Sequence, residues 1–185
     1  MDNDDRTAND GRLIARARSD PEAFVELYRK YYDAIFRYCA HRLFERTAAE
    51  DVTSEVFLRV VEKFGSFRGD EPKFRIWLYR IATNAVNNHL RKAVRQNNLL
   101  EGARKRMNGC DDNRGTSSER LALLRDAMLA LKPRYQAIVT LRFFENLKST
   151  EIAEVLGSSP GTVRSQMARA LAKLRQRCIS AQKGI

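Results

Sequence analysis

The sequence is poor in the residues on which many enzymes and secreted proteins depend. Its 185 residues include two histidines, three cysteines, four prolines and one tryptophan. The cysteines (Cys39, Cys110 and Cys178) lie far apart, which predicts reduced thiols and not a disulfide framework. Neither His41 nor His89 has the neighbouring ligands that a zinc site requires, so we expect no metal or other cofactor.

Other absences narrow the class of protein further. There is no apolar run long enough to cross a membrane and no signal peptide, which favours a cytoplasmic protein. A Gly-rich phosphate loop and a recognisable nucleophile are also missing, so we expect neither catalytic residues nor a small-molecule substrate. No alternating Val/Ile/Thr pattern occurs between turn residues, which predicts an all-α fold without strands.

Charge is distributed unevenly along the chain, whose net charge is +11 at pH 7. Residues 1–71 carry 12 Lys/Arg and 15 Asp/Glu, whereas residues 72–185 carry 22 and 8. A basic half of this kind indicates a polyanionic partner, either nucleic acid or an anionic membrane surface. Because no long apolar run is present, nucleic acid is the better interpretation.

Cap residues predict the helices of the first half. Asp20 as N-cap and Pro21 in the first turn start a helix that ends near Leu43. The stretch Thr47–Glu50 has the pattern of a capping box, so a second helix is expected from there to Gly65. Each helix has apolar residues at helical spacing, which we expect to form the core.

The second helix is predicted to have a buried apolar side and an acidic face. Asp51 and Glu55 lie one turn apart on that face, with Glu62 further along. Such a face is either a solvated surface or a docking surface for a basic partner. The apolar side is expected to comprise Val52, Val56, Phe57, Val60 and Val61.

A third helix, predicted over Phe74–Lys92, has an unusual polar face. Asn is a poor helix former, so three asparagines on one face indicate a role other than stability. An Asn amide both donates and accepts, which suits it to a base edge, and arginines at the ends of the face can hold phosphates. A solvated polar face is the alternative. The face comprises Arg80, Thr83, Asn84, Asn87 and Arg91, with Asn88 at its edge.

Helical periodicity stops between residues 93 and 117, where basic residues and glycines predict a flexible basic linker. Beyond it, Lys132-Pro133 starts a new helix, and a short helix over 150–156 ends at Gly157. Ser159-Pro160 then starts the last helix. A short helix, a tight turn with Gly and a second helix are the signature of a helix-turn-helix.

The last helix has an apolar inner stripe and a basic outer face. From Pro160 to Ile185 there are six basic residues and no acidic one. Small outward residues allow close approach to a DNA groove, and Arg and Gln can reach bases or phosphates. A basic solvated helix is the alternative. The outward residues are Ser165, Ala168, Arg169 and Ala172, with Arg164 and Gln166 at the flanks, and the inner stripe is Val163, Met167, Ala170, Leu171 and Leu174.

These stretches together resemble the bacterial sigma seventy family, in particular its small two-domain extracytoplasmic-function (ECF) group of RNA polymerase sigma factors. Ala49–Gly69 and Phe74–Lys92 follow the pattern of region two, and Leu131–Arg175 follows that of region four. The resemblance extends over about Leu13 to Arg177. It implies two small helical domains joined by a flexible linker. Their bounds are 13–92 for a region-two-like bundle, 93–117 for the linker and 118–180 for a region-four-like helix-turn-helix domain.

The resemblance implies a function as well as a fold. The chain would bind core RNA polymerase and direct it to promoter DNA, including promoter recognition and melting, without catalysis of its own. It implies an anti-sigma factor as a further partner, which in many relatives is anchored in the membrane and sequesters the sigma factor at its inner face. A free-standing helix-turn-helix regulator is the alternative, but it leaves the acidic face of the second helix unexplained.

The resemblance also implies site residues. It assigns Asp51 and Glu55 to the face that docks on the polymerase clamp, and Asn84 and Asn88 to the minus-ten element. The loop Phe67–Lys73 corresponds to the pocket for a flipped base. Unstacked bases can stack on aromatic rings, for which the candidates are Phe67, Phe74, Trp77 and Tyr79, with a core position as the favoured alternative for Phe74 and Trp77. The full predicted minus-ten set is Phe67, Arg80, Asn84, Asn87, Asn88 and Arg91. The minus-thirty-five set is Thr162, Arg164, Ser165, Gln166 and Arg169.

The chain departs from the family pattern at three places. The loop from Phe67 to Phe74 is one residue longer than in many relatives and contains Pro72, which leaves its preferred flipped base open. Lys148 stands where a capping Ser is common, so Ser149 is expected to cap the short helix instead. Gln166 replaces a common Arg or Lys, which would alter the minus-thirty-five preference.

Overall fold

The computed structural model describes residues 12–101 and 116–182, with side chains over 12–96 and 121–180, and within those ranges every regular element is a helix. The predicted all-α class is therefore confirmed for this part of the chain. A short helical segment at 12–16 precedes seven longer helices. They are α1 (Pro21–Leu43), α2 (Arg46–Phe64), α3 (Glu71–Glu101), α4 (Thr116–Leu129), α5 (Pro133–Phe143), α6 (Ser149–Leu156) and α7 (Pro160–Gln182).

The start of α1 is as predicted, whereas the start of α2 is not. Asp20 Oδ1 accepts a hydrogen bond from the Glu22 amide at 2.9 Å, with Pro21 in the first turn. For α2 the N-cap is Glu45, whose carboxylate accepts from the amides of Thr47 and Ala48. The capping box predicted from Thr47 is therefore wrong. A Glu at N-cap was missed because Glu is not among the usual capping residues.

Helix α3 is longer than predicted at both ends. It begins at Glu71, where Asp70 Oδ1 accepts from the Lys73 amide at 3.2 Å, and it runs to Glu101. The first nine residues assigned to the linker are thus helical. Apolar periodicity did not reveal this extension because a helix can continue without a buried stripe. The last two linker residues, 116 and 117, belong to α4, and residues 102–115, with Cys110, lie outside the described part of the chain.

Helices α5, α6 and α7 begin close to the predicted positions. Ser159 Oγ accepts from the Thr162 amide at 3.1 Å and so caps α7 as predicted. Gly157, at φ 58°, ends α6 in the left-handed region that glycine tolerates. Ser149, predicted as the cap of α6, is instead its first residue. The cap position is Lys148, whose amide donates to the Glu151 carboxylate at 2.6 Å.

The helices form two bundles that share one core. Helices α1 to α3 pack together, α5 to α7 pack together with α4 against α7, and α3 contacts α6 while α1 contacts α5. One hydrophobic cluster accordingly includes Tyr38 and Leu78 from the first bundle and Ile138 and Leu141 from the second. Burial raises the pKa of Cys39 in this core to about 11.

The described residues also bear on the expectations about membranes and metals. No helix among them is long and apolar enough to cross a bilayer. Nor do they contain a group of three or more His, Cys, Asp or Glu side chains placed to hold a metal ion.

Candidate nucleic-acid and docking surfaces

The outer face of α2 combines acidic and apolar side chains. Asp51 is exposed, and Glu55 one turn later pairs with Arg59 of the same helix. Leu58 and Val61 are 65% and 59% exposed. Val61 was predicted to be buried, and that prediction is wrong, because it lies on the solvent side of α2. An acidic face with exposed apolar residues at its centre is better suited to a protein partner than to water.

Helix α1 extends this surface. Tyr28 is 38% exposed, and its ring contacts that of Phe57 in α2 with centroids 4.7 Å apart. Val25, one turn earlier, is 43% exposed. We call the exposed residues of this region, with Asp51, Glu55, Leu58 and Val61, the α2 face. Leu58 and Val25 were not predicted here, although Leu58 follows Glu55 by three residues and shares its face. Tyr28 was expected in the core stripe of its helix, and that prediction is wrong.

The predicted polar face of α3 is only partly free. Asn84 is exposed. Asn88 Oδ1 accepts from Arg91 at 2.7 Å, and Arg91 also donates to the Asn87 carbonyl at 3.3 Å. Thr83 was predicted on this face, and that prediction is wrong. It is 2% exposed, and its hydroxyl hydrogen-bonds to the Tyr38 hydroxyl at 2.8 Å.

Asn87 is held by a buried arginine that the sequence did not single out. Arg42 is fully buried and donates to Asn87 Oδ1 at 2.9 Å and to the Tyr38 hydroxyl at 2.8 Å. Its Nε also donates to Gln136 Oε1 at 3.2 Å, and Gln136 returns a hydrogen bond to the Arg42 carbonyl at the same distance. Within the described residues no carboxylate forms an ion pair with Arg42. A buried arginine is usually paired with an acid, so this neutral set of acceptors is unusual.

A buried carboxyl group lies in the same contact between the two bundles. Glu145, 7% exposed, accepts a hydrogen bond from the Tyr79 hydroxyl through Oε2, and its main-chain carbonyl accepts from Arg75 at 2.6 Å. Among the described residues its other oxygen, Oε1, has no partner. Burial therefore raises the pKa of Glu145, although Tyr79, Arg37 and Arg75 oppose that shift.

Two further contacts complete this interface. Arg80, predicted to face DNA, donates to the carbonyl of Glu154 in the last turn of α6. The rings of His41 and Phe144 lie 4.0 Å apart. Burial and the positive charge of Arg37 lower the pKa of His41. No sequence pattern indicated these contacts, because the partners are far apart in the chain. Tyr79 and Glu145 are 66 residues apart, and Arg42 and Gln136 are 94 residues apart.

The aromatic rings predicted to stack on bases are mostly in the core. Phe67, Phe74 and Tyr79 are 7%, 1% and 2% exposed. Phe67 packs on Trp77 at 5.0 Å, and Trp77 is only half-buried. The prediction of an exposed stacking ring at Phe67 is therefore wrong for this structure. At Gly69 (φ 155°) an added Cβ would lie 3.0 Å from the Phe67 ring, so the loop closes tightly over that ring.

The outer face of α7 is open. Thr162, Arg164, Ser165 and Arg169 are exposed. Gln166 is half-buried and accepts from Arg134 Nε of α5 at 2.9 Å, so its orientation is fixed by α5. The predicted inner stripe includes the buried residues Val163 and Ala170. Leu171 was also predicted there, but it is 41% exposed, and that prediction is wrong.

Comparison with protein-family models gives two matches in the same chain. Residues 27–96 match the model for Sigma-70 region 2, and residues 121–174 match the model for Sigma-70, region 4. The first match covers most of α1 to α3, and the second covers most of α4 to α7. Each bundle therefore corresponds to one region of the same family.

Similar full-length proteins have names consistent with these matches. The ECF RNA polymerase sigma factor BldN of Streptomyces coelicolor is 34% identical over 168 residues, covering 88% of this chain and 63% of BldN. The RNA polymerase sigma factor YlaC of Bacillus subtilis is 30% identical, covering 84% of this chain and 91% of YlaC. The RNA polymerase sigma-H factor of Pseudomonas aeruginosa is 34% identical, with 87% and 89% covered. The chain thus spans less than two thirds of BldN but most of the other two.

Solved structures share the fold. CnrH, in complex with the cytosolic domain of CnrY, superposes with a TM-score of 0.71 at 23% identity, covering 92% of this chain and 97% of CnrH. RpoE of Bartonella quintana, in complex with the anti-sigma factor NepR, gives 0.66 at 19% identity, covering 84% and 96%. At these identities the likeness concerns the fold.

Proposed function

This chain belongs to the sigma-70 family, in its ECF group of RNA polymerase sigma factors, and from that premise we propose where it docks and how it reads a promoter. As a sigma factor it joins core polymerase and directs promoter-specific initiation of transcription. The observation that carries this conclusion is the presence of both regions, in order, in one chain. A free-standing helix-turn-helix regulator needs the second region alone.

We propose that the α2 face docks on core polymerase. Leu58 supplies the apolar centre, and Asp51 and Glu55 supply acidic contacts at its side. Exposed ion pairs contribute only ~0.2–1 kcal/mol each, so the apolar contact is needed for affinity and the charges for orientation. Part of the Glu55 charge is already neutralised by Arg59, which makes Asp51 the freer of the two acids.

We propose that α3 reads the minus-ten element of the melted strand. Asn84 is exposed, and its amide can pair with the polar edge of an unstacked base. Asn87, Asn88, Arg80 and Arg91 lie on the same side and would contact neighbouring bases or phosphates. Phe67 belongs to this site as the residue that shapes the flipped-base loop from below and not as an exposed ring.

We propose that α7 enters the major groove at the minus-thirty-five element. Thr162 and Ser165 are small enough to let the helix approach the groove, while Arg164 and Arg169 reach bases or phosphates. Gln166 is oriented by Arg134, which limits the positions its amide can reach. In this interface Gln would favour adenine, where a more common Arg or Lys would favour guanine.

The remaining proposals concern partners and location. The chain would act in the bacterial cytoplasm and would have no catalytic activity, since the reaction belongs to the polymerase. CnrH and RpoE were solved with CnrY and with the anti-sigma factor NepR. We propose a partner of the same class for this chain, which could hold it at the inner face of the membrane.

Reconstitution with core polymerase tests the proposed function. The purified chain should form a stoichiometric complex with core enzyme that starts run-off transcription from a cognate promoter. Core enzyme alone and the chain alone are the controls, and neither should start at a defined position. A chain that binds promoter duplex but forms no complex with core enzyme would instead be a free-standing regulator.

A further inference from the structure

The loop between α2 and α3 (residues 66–70, the α2–α3 loop) is held at its start by a residue from the beginning of the chain. Arg18 donates a hydrogen bond to the main-chain carbonyl of Phe67 at 2.9 Å, across 49 positions of the sequence. Every other described hydrogen bond of this loop joins groups no more than four positions apart. Among the described residues, Arg18 is therefore the one side chain whose hydrogen bond ties the loop to a distant part of the chain.

The Phe67 carbonyl is fixed in direction as well as in place. Arg68 Nη1 donates to the same oxygen at 2.8 Å, and to the Gly65 carbonyl at 2.7 Å. A carbonyl oxygen has two lone pairs, so the two arginines can occupy both of them. The hydrogen bonds of Arg68 are local and move with the loop. Only the hydrogen bond of Arg18 restrains this carbonyl relative to the rest of the first bundle.

Arg18 is itself firmly placed, because the turn in which it lies is fixed on both sides. After it, Asp20 caps α1. Before it, three apolar side chains are buried in the same hydrophobic cluster as Phe67, namely Leu13, Ile14 and Ala17. The match to Sigma-70 region 2 begins at residue 27, so it assigns no role to this N-terminal segment. The segment nevertheless packs on the first bundle and reaches the α2–α3 loop.

The residue that follows the loop is held by α1. The Tyr31 hydroxyl donates to Glu71 Oε1 at 2.6 Å, and Lys30 Nζ donates to the same oxygen at 2.8 Å. Between these two anchors, residues 68–70 are exposed, while the ring of Phe67 is buried beneath them. A loop that is restrained at both ends presents the same groups each time a ligand binds, and less conformational freedom is lost on binding.

We propose that Arg18 positions the α2–α3 loop for the flipped base, and so contributes to the choice of base at that position of the minus-ten element. This inference rests on the proposed function, in which the loop receives the base. Arg18 acts through the Phe67 carbonyl and is a positioning residue, not a contact to the base. Within the described residues neither Arg18 nor Arg68 forms an ion pair with a carboxylate, so the rival role for Arg18 is a direct contact to a DNA phosphate.

Hydrogen exchange of the free, full chain tests the anchor without polymerase or DNA. Arg18→Ala should raise amide exchange in residues 66–70 about three- to tenfold, the change that loss of one hydrogen bond corresponds to. Arg16→Ala is the matched control, since it removes the same charge from the same segment, but Arg16 pairs with Asp20 and Glu26 and not with the loop. Circular dichroism should show equal helical content in all chains. Unchanged loop exchange in Arg18→Ala would overturn the anchor, whatever the function of the protein.

Run-off transcription with core polymerase tests the effect on base choice. The templates carry each of the four bases at each position of the minus-ten element. In Arg18→Ala the ratio of initiation rates between the best and the worst base should fall roughly three- to tenfold at one position and stay unchanged at the others. Arg18→Lys keeps the charge and a donor, and should restore much of that ratio. Arg16→Ala should match the wild type, and polymerase affinity should be equal in all chains.

The pattern of the loss separates positioning from a phosphate contact. Loss of a phosphate contact would weaken binding of a single-stranded minus-ten oligonucleotide to the holoenzyme equally for every sequence, and would reduce the slope of log K against log salt by ~0.7. That result, or an unchanged base preference despite faster loop exchange, would overturn the proposal. Failure of the wild-type holoenzyme to initiate would instead contradict the proposed function, and the exchange measurement would still decide whether Arg18 holds the loop.

Discussion

The two surfaces proposed to read DNA differ in how far the chain itself covers them. On α7, Thr162, Arg164 and Arg169 are exposed. On α3, Arg80 and Asn87 are hydrogen-bonded to Glu154 and Arg42 in the contact between the bundles. Arg80, Asn84 and Arg91 of the α3 surface are nonetheless exposed. The α7 surface, proposed to read duplex DNA, and the α3 surface, proposed to read a melted strand, thus differ in how many of their side chains are held by other parts of the chain.

The largest effect is expected where the first bundle is open, on the α2 face. Replacing Asp51 and Glu55 together by Arg would repel a basic partner, and like charges across an interface cost several kcal/mol, so core polymerase affinity should fall roughly 100-fold or more. Fluorescence anisotropy with core enzyme measures this. A control chain with Asp33→Arg and Glu154→Arg carries the same net charge and should bind normally. Equal loss in both chains would mean that net charge, and not this face, governs docking.

The next effect concerns the asparagines on the polar face of α3. Asn84→Ala and Asn88→Ala should each leave a base edge unpaired and cost roughly 1–3 kcal/mol in open-complex formation. Run-off transcription over promoters randomised at the minus-ten element measures both rate and base preference. Polymerase affinity should not change, because docking uses another helix.

A pre-melted template separates base recognition from melting in these two variants. It removes the melting step and keeps the contacts to the bases. Defects that persist on this template belong to base recognition. Wild-type rates and preferences in both variants would make the asparagine face of α3 structural.

A smaller effect is expected on the outer face of α7. Arg169→Ala in the full chain should either reduce the slope of log K against log salt on duplex DNA by ~0.9, for a lost phosphate, or relax one promoter position, for a lost base contact. Arg177, further along α7, provides the control substitution Arg177→Ala. The outer face of α7 would lose its proposed role if Arg169→Ala altered neither the affinity for duplex DNA, the salt slope nor the sequence preference.

The smallest effect is a pH dependence of the contact between the two bundles, in which His41 and Glu145 act in opposite directions. The pKa of His41 is lowered while the bundles are in contact. His41 therefore favours the contact above its ordinary pKa of 6.5, and this contribution is lost as the pH falls below that value. The pKa of Glu145 is raised. Protonation of Glu145 therefore stabilises the contact between the bundles as the pH falls through that raised pKa towards the ordinary value of 4.5.

Variants separate the two contributions. In Glu145→Gln only the titration of His41 remains. Its radius of gyration should therefore rise as the pH is lowered from neutral, because the contact between the bundles weakens. In His41→Gln only the titration of Glu145 remains, and the radius of gyration should fall or stay constant as the pH is lowered. Slopes of the same sign in the two variants would mean that one of these groups does not face the interface in solution.

Local signals in the sequence predicted much of the fold. Asp20, Pro133, Gly157 and Ser159 mark helix ends because caps and turn residues act within a few positions. The extension of α3 to Glu101 was missed because it has no apolar stripe to mark it.

The contact between the bundles could not be predicted in this way. It joins polar residues that are distant in sequence, such as Arg42 and Gln136, and no local pattern indicates such pairs. The prediction for Thr83 was wrong for a separate reason: helical spacing placed it on the polar face, but its hydroxyl is hydrogen-bonded to Tyr38 inside the first bundle. The open residues of α7, by contrast, lie where spacing alone placed them.

Hydrogen exchange of the full chain, free and bound to core polymerase, tests the central claim most directly. We expect slower exchange in α2 on binding, because that face becomes covered. Absence of protection in α2 would contradict the proposed docking face.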